Sequence, residues 1–403
     1  MGLLFKSDFH DEFGSWPLAY IPYGGIDFGE ILGIAQAVGD GDDSAFYQAW
    51  ITAGDRFTTE ATNALDHGRR DVARELFLKA SECYATAKHP IFGLPVDPRL
   101  VAAFRRQTAA FDQAMALSKT PATPIRIPFE TGSLPAYFIP AIEFPDSARP
   151  LLILTNGYDG TIIDMYFASA VAALNRGYHC LLFDGPGQGE MLIEHGMPLR
   201  PDWEKVISSV IDVAVALPQV DRTRIVISGW SLGGYFSPRA ASGDDRIAAC
   251  IADPGLPGLA DSFRRAAQGL VGASPEEVAD LGTIDRHLLD RLEDVIHSNR
   301  KLNWSVIQRG YWANGTAGLK AYLASLETYS MSGRESLIRC PTLLTMTEND
   351  PLSSAAKEFY DSLTCPKTLL TFTADRRAGD HCEMKNRSWL NRRVLDWLDE
   401  VLA

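Results

Sequence analysis

The chain has 403 residues, of which 46% are hydrophobic, and its 38 Lys and Arg against 51 Asp and Glu give a formal net charge of −13. This hydrophobic content is enough for a large core, so it excludes a disordered chain and predicts either two domains or one large domain with insertions. The negative charge and the lack of a long basic run exclude nucleic acid as a partner.

Targeting signals and cysteine spacing both favour the cytoplasm. The sequence has no apolar stretch of about 18 residues that would span a bilayer, and MGLLFKSDFHDEFG lacks the basic and apolar regions of a secretory signal. The six cysteines form no CxxC pair, which favours reduced thiols over a disulfide framework or a zinc site. We expect a soluble cytoplasmic protein that does not contact membranes.

The first part of the chain is predicted to be helical. Apolar residues recur at helical spacing in ARELFLKASECYATA (73–87) and RLVAAFRRQTAAFDQAMAL (99–117), with no strand pattern between them. At PATPIRIPFETGSLPAYFIPA the pattern changes to short strand-like runs separated by Gly, Pro and Ser, so a hairpin is expected to begin near Pro124.

Strand and helix candidates alternate beyond this hairpin. The strand candidates are 151–155, 178–184, 224–230, 247–253, 341–347 and 368–373, and the helix candidates are 161–175, 202–217, 232–241, 353–363 and a last one from about 386. Continuous apolar strands that alternate with helices predict an α/β fold with a mostly parallel central sheet and helices on both faces.

One block interrupts the alternation. Residues 256–335 lack clear strands and are rich in helix formers and aromatic residues. We predict an inserted helical cap, placed over the C-terminal edge of the sheet where it would roof a ligand crevice. The predicted organisation is an N-terminal helical segment (1–120), the first part of the core (121–255), the inserted cap (256–335) and the second part of the core (336–403).

The sequence GWSLG at 229–233 places a serine at the junction of a predicted strand and a predicted helix. A serine on such a sharp turn adopts a strained backbone conformation, and the residues two before and two after it must be small. Gly229 and Gly233 meet this requirement. The pattern in this position predicts that Ser231 is a nucleophile, and the alternative is a tight turn in an inactive relative.

A serine nucleophile needs a base and an acid, which follow it along the chain in the order acid, then histidine. Of the eight histidines, only His381 follows the last predicted strand, in the loop DRRAGDHCEMKNR, so it is the predicted base. Asp350 in ENDPLSS is the predicted acid. Glu348 takes that role if the strand ends earlier, and Asp253 is a more distant rival. Alternatively, Asp350 only caps a helix or forms a turn.

Backbone N–H groups are predicted to stabilise negative charge on the substrate oxygen. The helix after Ser231 points its N-terminus toward the serine, so the N–H of Leu232 is one predicted donor. The second is predicted in the loop NGYDGT, where Gly157 allows the turn and the N–H of Tyr158 follows, with Asp159 one peptide away. The glycines of FDGPGQGE (183–190) lack the spacing and the Lys-Ser/Thr pair of a phosphate loop, so they predict a structural turn.

Several motifs together resemble a known family. GWSLGGY, FDGPGQGE, NGYDGT, ENDPL and GDHCEMKN, preceded by YGGIDFGEI and ARELFLKASECY, resemble the α/β-hydrolase superfamily. The similar branch includes 2,6-dihydroxypseudooxynicotine hydrolase, the fungal polyketide-shortening hydrolases and the bacterial fermentation-respiration switch proteins. The resemblance implies an α/β-hydrolase fold, triad roles for Ser231, Asp350 and His381, N-terminal helices that contribute to the cap, and a homodimer. It implies no metal and no organic cofactor.

The resemblance leaves the cleaved bond open, because the branch includes enzymes that cleave a C–C bond between two carbonyls as well as esterases. We expect a serine hydrolase that acts through an acyl-enzyme on a C–C bond of a β-diketone or ketone-type small molecule, aromatic or polyketide-like. The alternative is a carboxylesterase or lactonase. A non-catalytic small-molecule binder is the alternative of another class, and the intact Ser, Asp and His argue against it.

Overall fold

The N-terminal part of the chain is helical in the computed structural model, which describes residues 2–120 and 122–403. Its helices are α1 (Asp8–Gly14), α2 (Phe28–Val38), α3 (Asp43–Asp66), α4 (Arg70–Ala87) and α5 (Pro98–Ala116). Two of them begin at an aspartate whose side chain accepts backbone N–H groups, Asp42 before α3 and Asp97 before α5. The domain boundary predicted after residue 120 falls at Pro121, which lies outside the described residues.

An eight-stranded sheet follows, in the spatial order β1-β2-β4-β3-β5-β6-β7-β8. Its strands are β1 (Thr123–Phe129), β2 (Gly132–Ile139), β3 (Arg149–Thr155), β4 (His179–Phe183), β5 (Val220–Trp230), β6 (Ile247–Asp253), β7 (Thr342–Thr347) and β8 (Lys367–Phe372). The pairs β1–β2 and β2–β4 are antiparallel and the other five pairs are parallel. In the central strand β5, Ile225, Val226 and Ile227 are fully buried, as expected for a strand covered on both faces.

Helices connect the parallel strands. They are α6 (Ile162–Met165) and α7 (Val171–Asn175), which a π-helical turn (Tyr166–Ala170) joins, and α8 (Gly189–Ile193), α9 (Trp203–Ala214), α10 (Gly233–Ala241), α16 (Ala356–Ser362) and α17 (Arg387–Val401). The parallel strands β3 and β5 to β8 end at one edge of the sheet, so the loops that follow them lie together.

Between β6 and β7 the chain is again mostly helical. This stretch contains α11 (Ala260–Val271), α12 (Arg286–Ser298), α13 (Arg300–Leu302), α14 (Trp312–Asn314) and α15 (Leu319–Glu327), with a π-helical segment (Asn303–Tyr311) between α13 and α14. The π-helical segment contacts the N-terminal part of the chain. Trp304 Nε1 donates to the carbonyl of His89 at 3.0 Å, and Leu94 N donates to the carbonyl of Gln308 at 2.9 Å.

The predicted α/β fold is confirmed, and each strand candidate coincides with an observed strand to within a few residues. The predicted helix 161–175 is interrupted by its π-helical turn, and the helix predicted at 353–363 begins with a 3₁₀ turn at Pro351–Ala355. Among residues 2–120 and 122–403, no helix combines the length and the apolar character needed to cross a bilayer.

Candidate active site

Ser231 lies on the turn between β5 and α10, with a backbone φ of +60°. A side-chain-bearing residue rarely adopts this left-handed conformation, and here the turn forces it. A Cβ at Gly229 would overlap the carbonyl oxygen of Gly233, and a Cβ at Gly233 would lie 2.6 Å from the carbonyl oxygen of Thr155. The predicted need for two small residues around the serine is therefore confirmed, and the half-buried Ser231 side chain is raised above the sheet edge.

The structure brings Ser231, His381 and Asp350 together, although they lie in three separate loops. His381 Nε2 is 2.9 Å from Ser231 Oγ, and His381 Nδ1 is 2.7 Å from Asp350 Oδ2. The imidazole is 36% exposed while the Asp350 side chain is 2% exposed. The imidazole is thus partly accessible to solvent, whereas the carboxylate beside it is sequestered from water. This arrangement can carry a proton from Ser231 to His381 and stabilise the resulting imidazolium.

Asp350 has two tasks in this arrangement. While its Oδ2 meets His381, its Oδ1 accepts the backbone N–H of Leu352 at 3.0 Å. The sequence left open whether Asp350 would bind the histidine or merely cap the following turn. Its two oxygens do both, and the capping bond fixes the carboxylate orientation that His381 requires.

The two rival acids have other side-chain partners. Glu348 is exposed, and its Oε2 accepts the backbone N–H of Ala374 at 2.6 Å. Asp253 is buried, and its Oδ2 pairs with Arg387 Nη1 at 2.6 Å. Neither carboxylate has a hydrogen bond to the imidazole among those the described residues form, so Asp350 is the partner of His381.

The charge environment of His381 favours the protonated imidazole. Partial burial of the imidazole lowers the pKa of His381, but the carboxylates of Asp350, Asp253 and Asp159 act in the opposite direction, and the net pKa lies above its ordinary value. Asp350 makes the largest of these carboxylate contributions, through both its charge and its hydrogen bond. An imidazolium at His381 would therefore be stabilised.

The loop after β3 approaches the serine closely at Gly157. A Cβ at this position would lie 2.7 Å from Ser231 Cβ and 3.0 Å from both Ser231 Oγ and the backbone N of Leu232. The lack of a side chain at Gly157 leaves this space free. Gln188 stabilises the loop, since its Nε2 donates to the carbonyls of Asn156 at 2.7 Å and Gly157 at 3.2 Å. The FDGPGQGE turn thus holds the loop that faces Ser231.

The helical stretch between β6 and β7 holds the next two residues of the same loop. Asn314 Nδ2 donates to the hydroxyl of Tyr158 at 2.8 Å, and Arg309 Nη1 lies 3.3 Å from Asp159 Oδ2. The guanidinium of Arg309 also stacks on the ring of Tyr158, 4.6 Å from its centroid. Sequence reasoning did not find Asn314 and Arg309, because no local pattern indicates a contact across about 150 residues.

Substitution of Gly157 by alanine should lower activity without unfolding the protein. The added methyl group would occupy the space beside Ser231 Oγ and Leu232 N, so we expect a loss of roughly 10²- to 10³-fold in kcat, similar to removal of one oxyanion donor. A steady-state assay measures this loss of kcat, the rate of labelling of Ser231 by a fluorophosphonate should fall as well, and thermal unfolding checks the fold.

Gly33 provides the matched control for this substitution. It lies exposed within α2, and a Cβ there meets no atom within 4 Å. Gly33→Ala should leave the labelling rate unchanged and raise the free energy of unfolding by about 0.5–1 kcal/mol. Equal labelling rates for Gly157→Ala and Gly33→Ala would contradict the prediction that the substrate oxygen binds beside Gly157.

Comparison with known proteins places the chain in a family. Residues 152–387 match the profile of the Alpha/beta hydrolase family. The chain is 33% identical to Hydrolase acrC of Aspergillus aculeatus over 383 residues, which cover 88% of this chain and 84% of that protein. It is 31% identical over 370 residues to 20-hydroxy-prefusarin hydrolase of Gibberella moniliformis, with 89% and 85% covered.

Solved structures share the fold. The 2,6-dihydroxy-pseudo-oxynicotine hydrolase structure aligns with a TM-score of 0.75 at 21% sequence identity and covers 96% of each chain. The AbyA5 structure aligns with a TM-score of 0.63 at 18% identity, and 98% of this chain and 99% of that chain are covered. The profile match, the similarity to the fungal hydrolases and the shared architecture agree with one another, and the chain belongs to the alpha/beta hydrolase family of enzymes.

Proposed function

We propose that this enzyme is a serine hydrolase that forms an acyl-enzyme on Ser231 and cleaves a C–C bond of a small molecule with a 1,3-dicarbonyl or related ketone group. The observation that carries the proposal is the continuous hydrogen-bond path from Ser231 Oγ to His381 Nε2 at 2.9 Å and from His381 Nδ1 to Asp350 Oδ2 at 2.7 Å. A hydroxyl, an imidazole and a buried carboxylate in this order form an activated nucleophile.

In the first half of the reaction, His381 Nε2 takes the proton of Ser231 Oγ while the oxygen attacks the substrate carbonyl. The N–H groups of Tyr158 and Leu232 stabilise the oxyanion, and the empty space at Gly157 supports this placement. The C–C bond then breaks, its electron pair leaves as an enolate, and His381 returns the proton to the enolate carbon. The products of this half-reaction are a ketone and the acylated serine.

In the second half of the reaction, water replaces the ketone. His381 takes a proton from the water molecule, the hydroxide attacks the acyl carbonyl, and the bond to Ser231 Oγ breaks with return of the proton to that oxygen. A carboxylic acid leaves. Asp350 holds the imidazole in the tautomer that both halves require.

The names of two relatives support a small-molecule substrate, whereas the choice of a C–C bond rests on the branch of the family that the motifs resemble. Both 20-hydroxy-prefusarin hydrolase and 2,6-dihydroxy-pseudo-oxynicotine hydrolase are named for a small molecule. Acylation of Ser231 would proceed identically with an ester or lactone, which differs only in expelling an alkoxide. A direct comparison of substrates therefore decides between the two bonds.

The proposed function includes a cap that encloses the substrate, formed by residues 256–335 together with the N-terminal helices of 1–120. The contacts between Trp304 and His89 and between Gln308 and Leu94 support a cap built from both segments. Asn314 and Arg309, both within 256–335, hold Tyr158 and Asp159. A substrate that displaces or orders the cap would thereby adjust the loop that carries an oxyanion donor.

Two assays test the proposal. A fluorophosphonate probe should label the folded enzyme at Ser231, identified by peptide mass spectrometry, and a protein that only binds small molecules would remain unlabelled. A 1,3-diketone and a p-nitrophenyl short-chain ester are then compared under the same conditions. We expect the diketone to yield one carboxylic acid and one ketone, whereas rapid ester turnover with an inert diketone would identify an esterase.

The pH dependence of labelling should follow the protonation of His381. Only the neutral imidazole accepts a proton, so kcat/KM and the labelling rate rise as the pH increases through the pKa of His381. Because the neighbouring carboxylates outweigh burial and raise that pKa, the midpoint should lie above the ordinary histidine value near 6.5. Asp350→Asn should move the midpoint to lower pH, and a midpoint below the ordinary value in the parent enzyme would contradict this charge environment.

A further inference from the structure

We propose that Asp253 and Arg387 form a positioning pair that fixes the His381 loop to the Ser231 turn, a role that rests on the proposed function. The pair lies directly beneath the site. The Arg387 and Asp253 side chains are 4% and 3% exposed, and Arg387 Nη1 is 2.6 Å from Asp253 Oδ2. Neither residue touches the reacting atoms, so their effect passes through His381 and Ser231.

Asp253 is joined to the nucleophile turn through its backbone. Its carbonyl oxygen accepts the N–H of Ser231 at 2.7 Å, which is a short bond to the strained residue itself. Its side chain is fixed on the other side, because Thr345 Oγ1 donates to Asp253 Oδ1 at 2.8 Å. The position of the Asp253 carboxylate, which faces Arg387, is therefore fixed relative to Ser231.

Arg387 is joined to the histidine loop. The same Nη1 that meets Asp253 also donates to the carbonyl of Cys382, the residue after His381, at 2.8 Å. Its Nε and Nη2 donate to the carbonyl of Ala168 and to Ser169 Oγ, both at 3.0 Å. The guanidinium thus connects the base loop to β6 and to the π-helical turn, and its planar geometry fixes the distances among them.

The conformation of the histidine loop explains why such an anchor is needed. Cys382 and Glu383 have φ values of +54° and +50°, so two consecutive residues with side chains adopt the left-handed conformation. This conformation is unfavourable for residues other than glycine, and contacts beyond the loop must maintain it. Arg387 holds the carbonyl of Cys382, and Thr347 Oγ1 donates to Glu383 Oε1 at 2.6 Å.

A fully buried ion pair is a costly way to stabilise a fold, since two apolar residues of similar volume usually serve as well or better. Here the pair serves to orient the site. Asp253 binds the backbone N–H of Ser231, and Arg387 binds the backbone carbonyl of Cys382 next to His381, so the pair connects the two sides of the Ser231–His381 hydrogen bond. The sequence shows neither partner's role, since 134 residues separate them.

The test replaces both partners at once, so that neither charge of the pair is left without the other. In Asp253→Asn/Arg387→Met, the fold should persist by thermal unfolding, KM for a p-nitrophenyl ester should be unchanged, and kcat should fall by roughly 100-fold, as for a small misplacement of reacting groups. The control is Glu204→Gln/Arg239→Met. That pair is 18% and 15% exposed and connects α9 to α10, and it should retain parental kcat.

The spectroscopic readout is the proton NMR signal of His381 Nδ1–H, which does not require turnover. It should shift in the double variant and stay unchanged in the control. Parental kcat together with a parental signal in Asp253→Asn/Arg387→Met would overturn the proposal, and so would an equal loss of kcat in the control. Failure of the proposed function is distinguishable, because it leaves the parent protein unlabelled at Ser231 while the NMR comparison remains readable.

A second variant covers the case in which the double variant does not fold. Arg387→Lys keeps a positive charge beside Asp253 but cannot donate in the plane that reaches Cys382, Ala168 and Ser169 together. We expect a lower kcat with unchanged KM and a shifted His381 signal. Parental values of both in Arg387→Lys would overturn the proposal.

Discussion

Substitution of Ser231 by alanine should abolish labelling by a fluorophosphonate and reduce kcat by roughly 10⁶-fold, the size of loss found when a nucleophile that acts as one unit with its base is removed. The reason is that Oγ is the atom that His381 Nε2 contacts at 2.9 Å, and alanine offers His381 no proton to take. Residual turnover should remain above the uncatalysed rate, because the N–H donors around Gly157 and Leu232 are backbone groups that the substitution preserves.

The control for this substitution is Ser332→Ala, which changes an exposed serine outside the site. It should retain parental labelling and kcat. Both variants are checked by thermal unfolding and by active-site titration of the parent enzyme. If Ser231→Ala kept parental kcat with the 1,3-diketone, the acyl-enzyme route would be wrong, whichever bond is cleaved.

Substitution of Asp350 by asparagine should lower kcat by roughly 10⁴-fold while the fold is maintained. An asparagine at this position can still accept the N–H of Leu352 with its side-chain oxygen, as Asp350 Oδ1 does at 3.0 Å. It then presents an amide N–H to His381 Nδ1, which favours the tautomer with the proton on Nε2. That tautomer cannot take the proton of Ser231, and the imidazolium loses its negative partner.

Glu348→Gln is the matched control, since it removes a carboxylate two residues away on the same loop. Its partner is the backbone N–H of Ala374 rather than the imidazole, so kcat should stay near the parental value. A steady-state comparison of the two variants separates the candidates for the acid. A larger loss in Glu348→Gln than in Asp350→Asn would show that the loop adopts another conformation during turnover.

The prediction of Asp350 as the acid rested on a weak local signal. An aspartate before a proline is a common turn former, and the sequence alone leaves that reading open. In the structure the turn and the contact with His381 use different oxygens of Asp350. The turn and the contact with His381 were therefore not alternatives. The turn-forming character of Asp350 gave no evidence against its pairing with His381.

Sequence by itself determined the features that depend on neighbours along the chain. The strands were recognisable because apolar residues fill consecutive positions, and the turn at Ser231 was recognisable because Gly229 and Gly233 leave the space that a positive φ requires. The placement of the loops that carry Asp350 and His381 near Ser231 was predictable from the order of the strands, since parallel strands end at one edge of the sheet.

Only the tertiary structure decided which side chains support these loops. Asp253 was weighed as an acid for the histidine, but it binds Arg387 instead. Arg309 and Asn314 come from a helical stretch whose sequence indicates helices and nothing about its partners. Contacts of this kind join segments more than a hundred residues apart, and they depend on how helices pack across the sheet. A periodicity or motif within one segment does not predict the distance to another segment, so these contacts can be identified only in the folded chain.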